Sequence, residues 1–178
     1  MSWMRSHING KIAITGVLLS LALILSYVES LISFDSVFPG IKLGLSNLAV
    51  ITALFVSGPV YGLAICILKS LLTSLLFGSM TSFIYSICGA LFSFAVMFLL
   101  YIIGGFHIPV ISVAGGIFHN LGQFIAAVYI TKTFIPGFYL FYVAILLAAG
   151  SISGAITGFI ANLCVPKIKK IISKEGES

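Results

Sequence analysis

Seven polar side chains interrupt the apolar runs of this sequence and are its candidates for chemistry. Ionisable groups are costly inside a bilayer, so those found there usually face the protein interior and mark a functional site. The set combines a carboxylate, two ammonium groups, an imidazole and three amides, and it predicts a substrate-binding site. Its members are Glu29, Lys42, Asn47, Lys69, His119, Asn120 and Gln123.

The charged members of the set also have a simpler explanation. Glu29 and Lys42 lie near predicted helix ends, where their side chains could reach interfacial water. Lys69 lies more than one turn from the end of its predicted helix, so a functional or ion-paired role is favoured there.

Three of the candidates lie on one predicted helix. His119 and Gln123 are four residues apart and share a face, and Asn120 is three residues from Gln123. Hydrogen bonding between helices is the simpler alternative for this group. A metal site is not indicated, because His119 has no second His or Cys at ligand spacing.

The residues that catalysis on a diphosphate or a nucleotide requires are missing. Asp35 is the only aspartate, so no DDxxD cluster can hold Mg²⁺ on a diphosphate, and no GxxxxGK[ST] loop occurs. Cys66, Cys88 and Cys164 lie in apolar runs without CxxC spacing, and we predict that they are small buried hydrophobes. The sequence therefore predicts a protein that is not an enzyme and has no cofactor.

Composition identifies the elements that must position these residues. The chain has 178 residues, of which 60% are hydrophobic and 7% charged, whereas soluble domains are about 25% charged. With a mean hydropathy of +1.23, a soluble enzyme and a nucleic-acid-binding domain are both excluded. The expected fold class is an all-α integral membrane protein, because the apolar runs are too long for barrel strands.

Glycine, proline and the few charges set the predicted helix boundaries. No Asp, Glu, Lys or Arg lies between Lys69 and Lys132, a stretch of roughly 90 Å as a helix that must cross a bilayer core of about 30 Å more than once. Six helices are predicted, the second of them short, or five if the Gly58-Pro59 break is only a kink. The six ranges are 11–33, 44–57, 59–77, 82–104, 110–132 and 138–165.

Basic residues at both ends predict the orientation. Arg5 and Lys11 flank the start of the first predicted helix, and four lysines occupy a basic tail at 166–178. The positive-inside rule places both termini in the cytoplasm, which requires an even number of spans. We therefore predict one transmembrane domain, 1–178, in the cell membrane, with the tail as a topology anchor and not a nucleic-acid site.

In this orientation the seven candidate residues cluster in the outer half of the bundle. A pocket that opens only to the outside favours a capture site over an ion channel, which needs polar groups along its whole path. Because Lys42 and Lys69 outnumber Glu29, the expected ligand is a small anion.

Small residues recur every four positions on two helices and predict close helix packing. Gly150, Gly154 and Gly158 form such a strip on the sixth helix, for which internal packing is favoured. Another strip on the cytoplasmic half of the first helix is a candidate docking face for a partner, and it comprises Ala13, Gly16 and Ser20.

Three segments carry a resemblance to a known family. They are PGIKLGLSN at 39–47, the run at 22–29 and HNLGQ at 119–123. Over nearly its whole length the chain resembles the Gx transporter family, also called heptaprenyl diphosphate synthase component I. That family in turn resembles the substrate-binding S components of energy-coupling factor (ECF) vitamin transporters.

The resemblance implies an architecture and a set of partners. S components have six helices, cytoplasmic termini, a pocket near the outer surface and a small-residue strip on the first helix. That strip meets a transmembrane coupling subunit, which acts with cytoplasmic ATPases. In this chain Gly16 and Ser20 stand where an S component typically has alanines.

Three functions remain open from the sequence. The first is capture of a small nutrient, such as a vitamin or a quinone or isoprenoid precursor, followed by closure of the 34–43 loop, docking through the first helix and inward release. The second is a non-catalytic, lipid-presenting subunit of heptaprenyl diphosphate or quinone synthesis. The third is a facilitator that transports without an ATPase.

Overall fold

The computed structural model describes residues 2–31, 44–132 and 136–175, and every regular element in these ranges is an α-helix. Six helices form an all-α membrane bundle, and five are long and apolar enough to cross a bilayer. The prediction of six helices is thereby confirmed. In chain order they are α1 (Ser2–Leu31), α2 (Asn47–Val56), α3 (Pro59–Phe77), α4 (Met80–Ile103), α5 (Ile108–Thr131) and α6 (Pro136–Glu175).

The break at Gly58-Pro59 separates two helices, so the five-helix alternative with a kink is wrong. Gly58 has φ +107°, which L side chains rarely adopt, and Pro59 occupies the first turn of α3, where no backbone N–H is needed. After this turn α3 folds back along α2: a Cβ on Gly62 would lie 3.3 Å from Leu54 Cα. The start of α2 correspondingly lies beside Lys69, in the middle of α3.

The shortest helix is the centre of the bundle. α2 packs against each of the other five helices, and Ala49 through Leu54 are all buried. Its 10 residues extend about 15 Å, which is half of a bilayer core of about 30 Å. A helix that is apolar on every side has no face suited to water, and here every side is covered by protein.

The first and last helices extend further than the sequence analysis predicts. α1 begins at Ser2 and not at 11, and α6 continues through Pro166 to Glu175. With 40 residues, α6 is about 60 Å long. Much of the predicted basic tail is therefore helical, and Lys167, Lys169 and Lys170 are exposed on it.

Helices that follow one another in the chain run antiparallel. Glu29 bonds to Leu45 ahead of α2, while Thr15, earlier in α1, contacts Ser57 after α2. Successive helices keep running in opposite directions as far as α6. The start of α1 and the end of α6 therefore lie at the same end of the bundle. We call the opposite end, where α1 finishes, the outer end, in keeping with the predicted orientation.

We expect the shared end to be cytoplasmic, because both termini carry basic residues. Single cysteines introduced as Ser2→Cys and Ser178→Cys, with the three native cysteines replaced by alanine, should react with a membrane-impermeant maleimide only in permeabilised cells. Labelling of either position in intact cells would contradict the orientation.

Candidate functional site

Glu29 fixes the backbone just before α2. Its Oε1 accepts a hydrogen bond of 2.7 Å from the Leu45 N–H, and the side chain is only 9% exposed. Hydrogen bonds to ionised groups are about twice as strong as neutral ones. The carboxylate therefore faces protein and not interfacial water.

Lys69 reaches the same point from α3. Its Nζ donates to Asn47 Oδ1 at 2.6 Å and to Ser46 Oγ at 3.0 Å, and the residue is 4% exposed. Three predicted residues, Glu29, Asn47 and Lys69, thus converge where α2 begins. Together with Ser46 we call them the α2-entry cluster.

Ser46 was missed by the sequence analysis, although it directly precedes a candidate residue in an apolar run. Beside it, Gly44 has φ +70°, which lets the chain turn into α2. A Cβ on Gly44 would lie 3.4 Å from Ser153 Oγ of α6. Four helices, α1, α2, α3 and α6, therefore meet at the α2-entry cluster.

Lys42 and the loop at 34–43 lie outside the described residues. Their predicted roles in ligand binding and closure stay predictions.

The polar residues of α5 turn toward two different neighbours. Asn120 Nδ2 donates to the Leu146 carbonyl of α6 at 2.9 Å, so Asn120 makes the inter-helix hydrogen bond that was the simpler alternative. His119 and Gln123 instead pack on Gly89 of α4. A Cβ there would lie 2.6 Å from Gln123 Cγ and 2.7 Å from the His119 carbonyl.

The two groups of candidate residues lie at a similar depth. α3 and α4 join at Gly78-Ser79, with Lys69 nine residues before this turn and Gly89 ten residues after it, or about 14 Å in each direction. Because Gly89 contacts Gln123, the depth of Lys69 matches that of the buried α5 residues. The structure thus has two clusters of polar residues, one around the start of α2 and one between α4 and α5.

The strip on α1 faces away from the bundle. Ala13, Gly16 and Ser20 are exposed, and a Cβ on Gly16 would meet nothing within 4 Å. The hydroxyl of Ser20 donates to the Gly16 carbonyl, so it needs no external partner. Another helix could approach the backbone of α1 closely along this strip.

The strip on α6 faces inward, as favoured from the sequence. A Cβ on Gly154 would lie 2.6 Å from the Ser112 carbonyl of α5, and one on Gly158 would lie 2.7 Å from Pro109 Cα. Backbone therefore meets backbone along this contact, which only small residues allow.

An apolar groove of about 620 Å³ runs along the outside of α4 and α5. Leu91, Phe92, Ile125 and Tyr129 are among the side chains that line it. Cys88 also lines the groove and is exposed, so the prediction that all three cysteines are buried is wrong at this position. The sequence shows an apolar helix here but not which part of it faces the lipid.

No curated protein and no solved structure matches the chain. The family model described as heptaprenyl diphosphate synthase component I matches residues 18–164, a range that contains all seven candidate residues and part or all of each of the six helices. The chain belongs to the heptaprenyl diphosphate synthase component I family.

Proposed function

We propose that this protein captures a small anionic nutrient at the α2-entry cluster and delivers it with an energy-coupling module. Five apolar helices of spanning length and the family both fit a membrane component that does not itself catalyse a reaction. The proposed partners are a transmembrane coupling subunit and cytoplasmic ATPases, since the chain has no nucleotide-binding loop.

The observation that carries the proposal is the position of Lys69. Its ammonium group is buried against the start of α2, where the helix dipole adds partial positive charge. Glu29 supplies one negative charge at the same place, which leaves the cluster attractive to an anion. Ionisable groups buried within a membrane bundle are costly and typically mark substrate or ion paths.

The exposed strip on α1 supports delivery through a partner. Gly16 and Ser20 leave the helix backbone open to close approach by another helix. The strip lies in the half of α1 remote from Glu29, so docking and ligand capture use separate surfaces.

Co-purification tests this function. The tagged protein is isolated from its own membranes in a mild detergent, and its partners are identified by mass spectrometry. Recovery of a coupling subunit with ATPases is expected. Recovery of a soluble prenyl synthase without them would contradict the proposal and support the alternative below, and uptake of nutrient with no ATPase would favour a facilitator.

We expect Gly16→Leu and Ser20→Leu to abolish this co-purification while ligand binding is retained. A leucine on the strip would hold the partner backbone away at the point of closest contact. Ala155→Leu on the exposed surface of α6 is the matched control and should leave the partners bound. Normal recovery of partners with both α1 variants would rule out this docking face.

A second candidate function is supported by a separate observation. The groove between α4 and α5 is apolar and about 620 Å³ in volume, which suits a hydrocarbon chain. With the family description, it supports a non-catalytic subunit that presents a prenyl lipid to a soluble synthase. Asp35 as the only aspartate argues against prenyl elongation by this chain itself.

A further inference from the structure

Two buried polar atoms between α4 and α5 have no hydrogen-bond partner among residues 2–31, 44–132 and 136–175. Gln123 Oε1 and Ser93 Oγ are both unsatisfied, and their residues are 5% and 1% exposed. In a membrane interior, an unmet polar group has no bulk water to bond to and is strongly unfavourable. Such a group in a native protein therefore calls for an explanation.

Other polar side chains inside the bundle do have hydrogen-bond partners. Asn120, three positions before Gln123, bonds to the Leu146 carbonyl. The hydroxyls of Ser70 and Ser151 bond to carbonyls four residues back in their own helices. Ser93 lies mid-helix as they do, yet its hydroxyl makes no such bond.

Both atoms belong to one interface, with Gln123 at about the depth of Lys69 and Ser93 one helical turn further from the outer end. Gly89 packs on Gln123 Cγ, and Ser93 lies one turn further along the same face of α4. The Ser93 Oγ is 3.2 Å from the position that a Cβ on Gly115 of α5 would take. One helical turn of four residues rises about 6 Å, so the two residues lie about one turn apart along this interface.

We propose that Gln123 and Ser93 bind the polar edge of the captured ligand, opposite its anionic group. A carbonyl oxygen such as Gln123 Oε1 only accepts hydrogen bonds, so the ligand carries an N–H or O–H donor. The inferred class is a small molecule with a carboxylate or phosphate at one end and a hydroxyl or amino group at the other. This inference rests on the proposed function, to which it adds Ser93 and the cluster of polar residues between α4 and α5.

The first part of the test uses the ligand-free protein. Gln123→Met and Ser93→Ala remove polar groups that lack partners. The thermal unfolding midpoint of each variant should therefore be equal to that of the wild type or higher. The matched control, Asn120→Leu, removes a satisfied bond to α6 and should lower the midpoint. If Gln123→Met lowers it as much as Asn120→Leu does, the amide has a structural partner such as an ordered water, and the proposal fails.

The second part compares two rigid probes that differ only in the donor. Isothermal titration calorimetry in nanodiscs measures the affinity of 6-hydroxy-2-naphthoate and 6-methoxy-2-naphthoate. The wild type should bind the hydroxyl probe about tenfold more tightly, which is typical of one buried hydrogen bond, and Gln123→Met should abolish the difference. Equal binding of both probes by the wild type, or binding of neither, would overturn the proposal.

A third probe separates this inference from the proposed function. 2-Naphthol has the hydroxyl group but no carboxylate. If it binds as tightly as 6-hydroxy-2-naphthoate and Gln123→Met weakens both, the hydrogen-bonding edge is supported while the anion site at Lys69 is rejected. If the coupling partners are absent from the purified complex, delivery is rejected whatever the probes show.

Discussion

Replacement of Lys69 by methionine should weaken binding of 6-hydroxy-2-naphthoate by about 2–5 kcal/mol, the usual effect of stranding the partner of a buried charge. The ammonium group is buried at the start of α2, so water cannot replace it as a partner of the ligand carboxylate. The unbranched methionine side chain keeps most of the packing volume and removes the charge.

The result needs controls, because Lys69 also holds Ser46 and Asn47 in place. Binding of neutral 2-naphthol should change little in Lys69→Met if the fold of the cluster survives. Lys132→Met makes the same substitution at an exposed lysine and should leave both affinities unchanged. We expect a smaller loss in Lys42→Met, since Lys42 is predicted to reach water.

Two results would contradict the anion site. One is an unchanged affinity for the carboxylate probe in Lys69→Met. The other is a native ligand that proves to be cationic.

Helix boundaries followed from the sequence wherever glycine and proline set them. The predicted range 59–77 matches α3, and 82–104 differs from α4 by two residues or fewer at each end. Pro59 and Gly104 stop or start helices for local backbone reasons that need no knowledge of the fold. A sequence pattern alone is sufficient at such points.

Boundaries set by charge were less accurate. The sequence predicts that the first helix begins at 11 and the last ends at 165, yet α1 begins at Ser2 and α6 continues past Lys170. A lysine ends the part of a helix that lies in lipid, but it is a good helix former in water. Charge therefore predicts the membrane boundary and not the helix end.

The central position of α2 could not be predicted. Its sequence is apolar on all sides, so it has no periodicity that identifies a packed face. The adjacent residues His119 and Asn120 show the same limit at the candidate site. Their spacing predicts that they point in different directions, but only the fold shows that one faces α4 and the other α6.

The two small-residue strips show most clearly what the sequence leaves open. Gly16 with Ser20 and Gly150 with Gly154 have the same spacing. In the structure, one strip is open to its surroundings and the other touches backbone. Whether such a strip is exposed or packed depends on the neighbours that the fold supplies.

Gly154→Ala should therefore destabilise the protein by about 1–3 kcal/mol, the range for overpacking a close contact. The new Cβ would lie 2.6 Å from the Ser112 carbonyl oxygen and 2.7 Å from Val113 Cα. Backbone atoms cannot rotate away as side chains do, so α5 and α6 must separate. The hydrogen bond between Ser112 and Thr157, at 3.0 Å, would be lost with that movement.

Gly16→Ala is the matched control and should give the opposite sign. Its Cβ would meet nothing within 4 Å, and alanine is the better helix former by about 1 kcal/mol, so the unfolding midpoint in nanodiscs should be equal to that of the wild type or higher. Equal midpoints for the two variants would contradict backbone contact between α5 and α6. A lower midpoint for Gly16→Ala alone would show that the α1 strip is already packed within the protein, which would remove the docking face on which the proposed delivery depends.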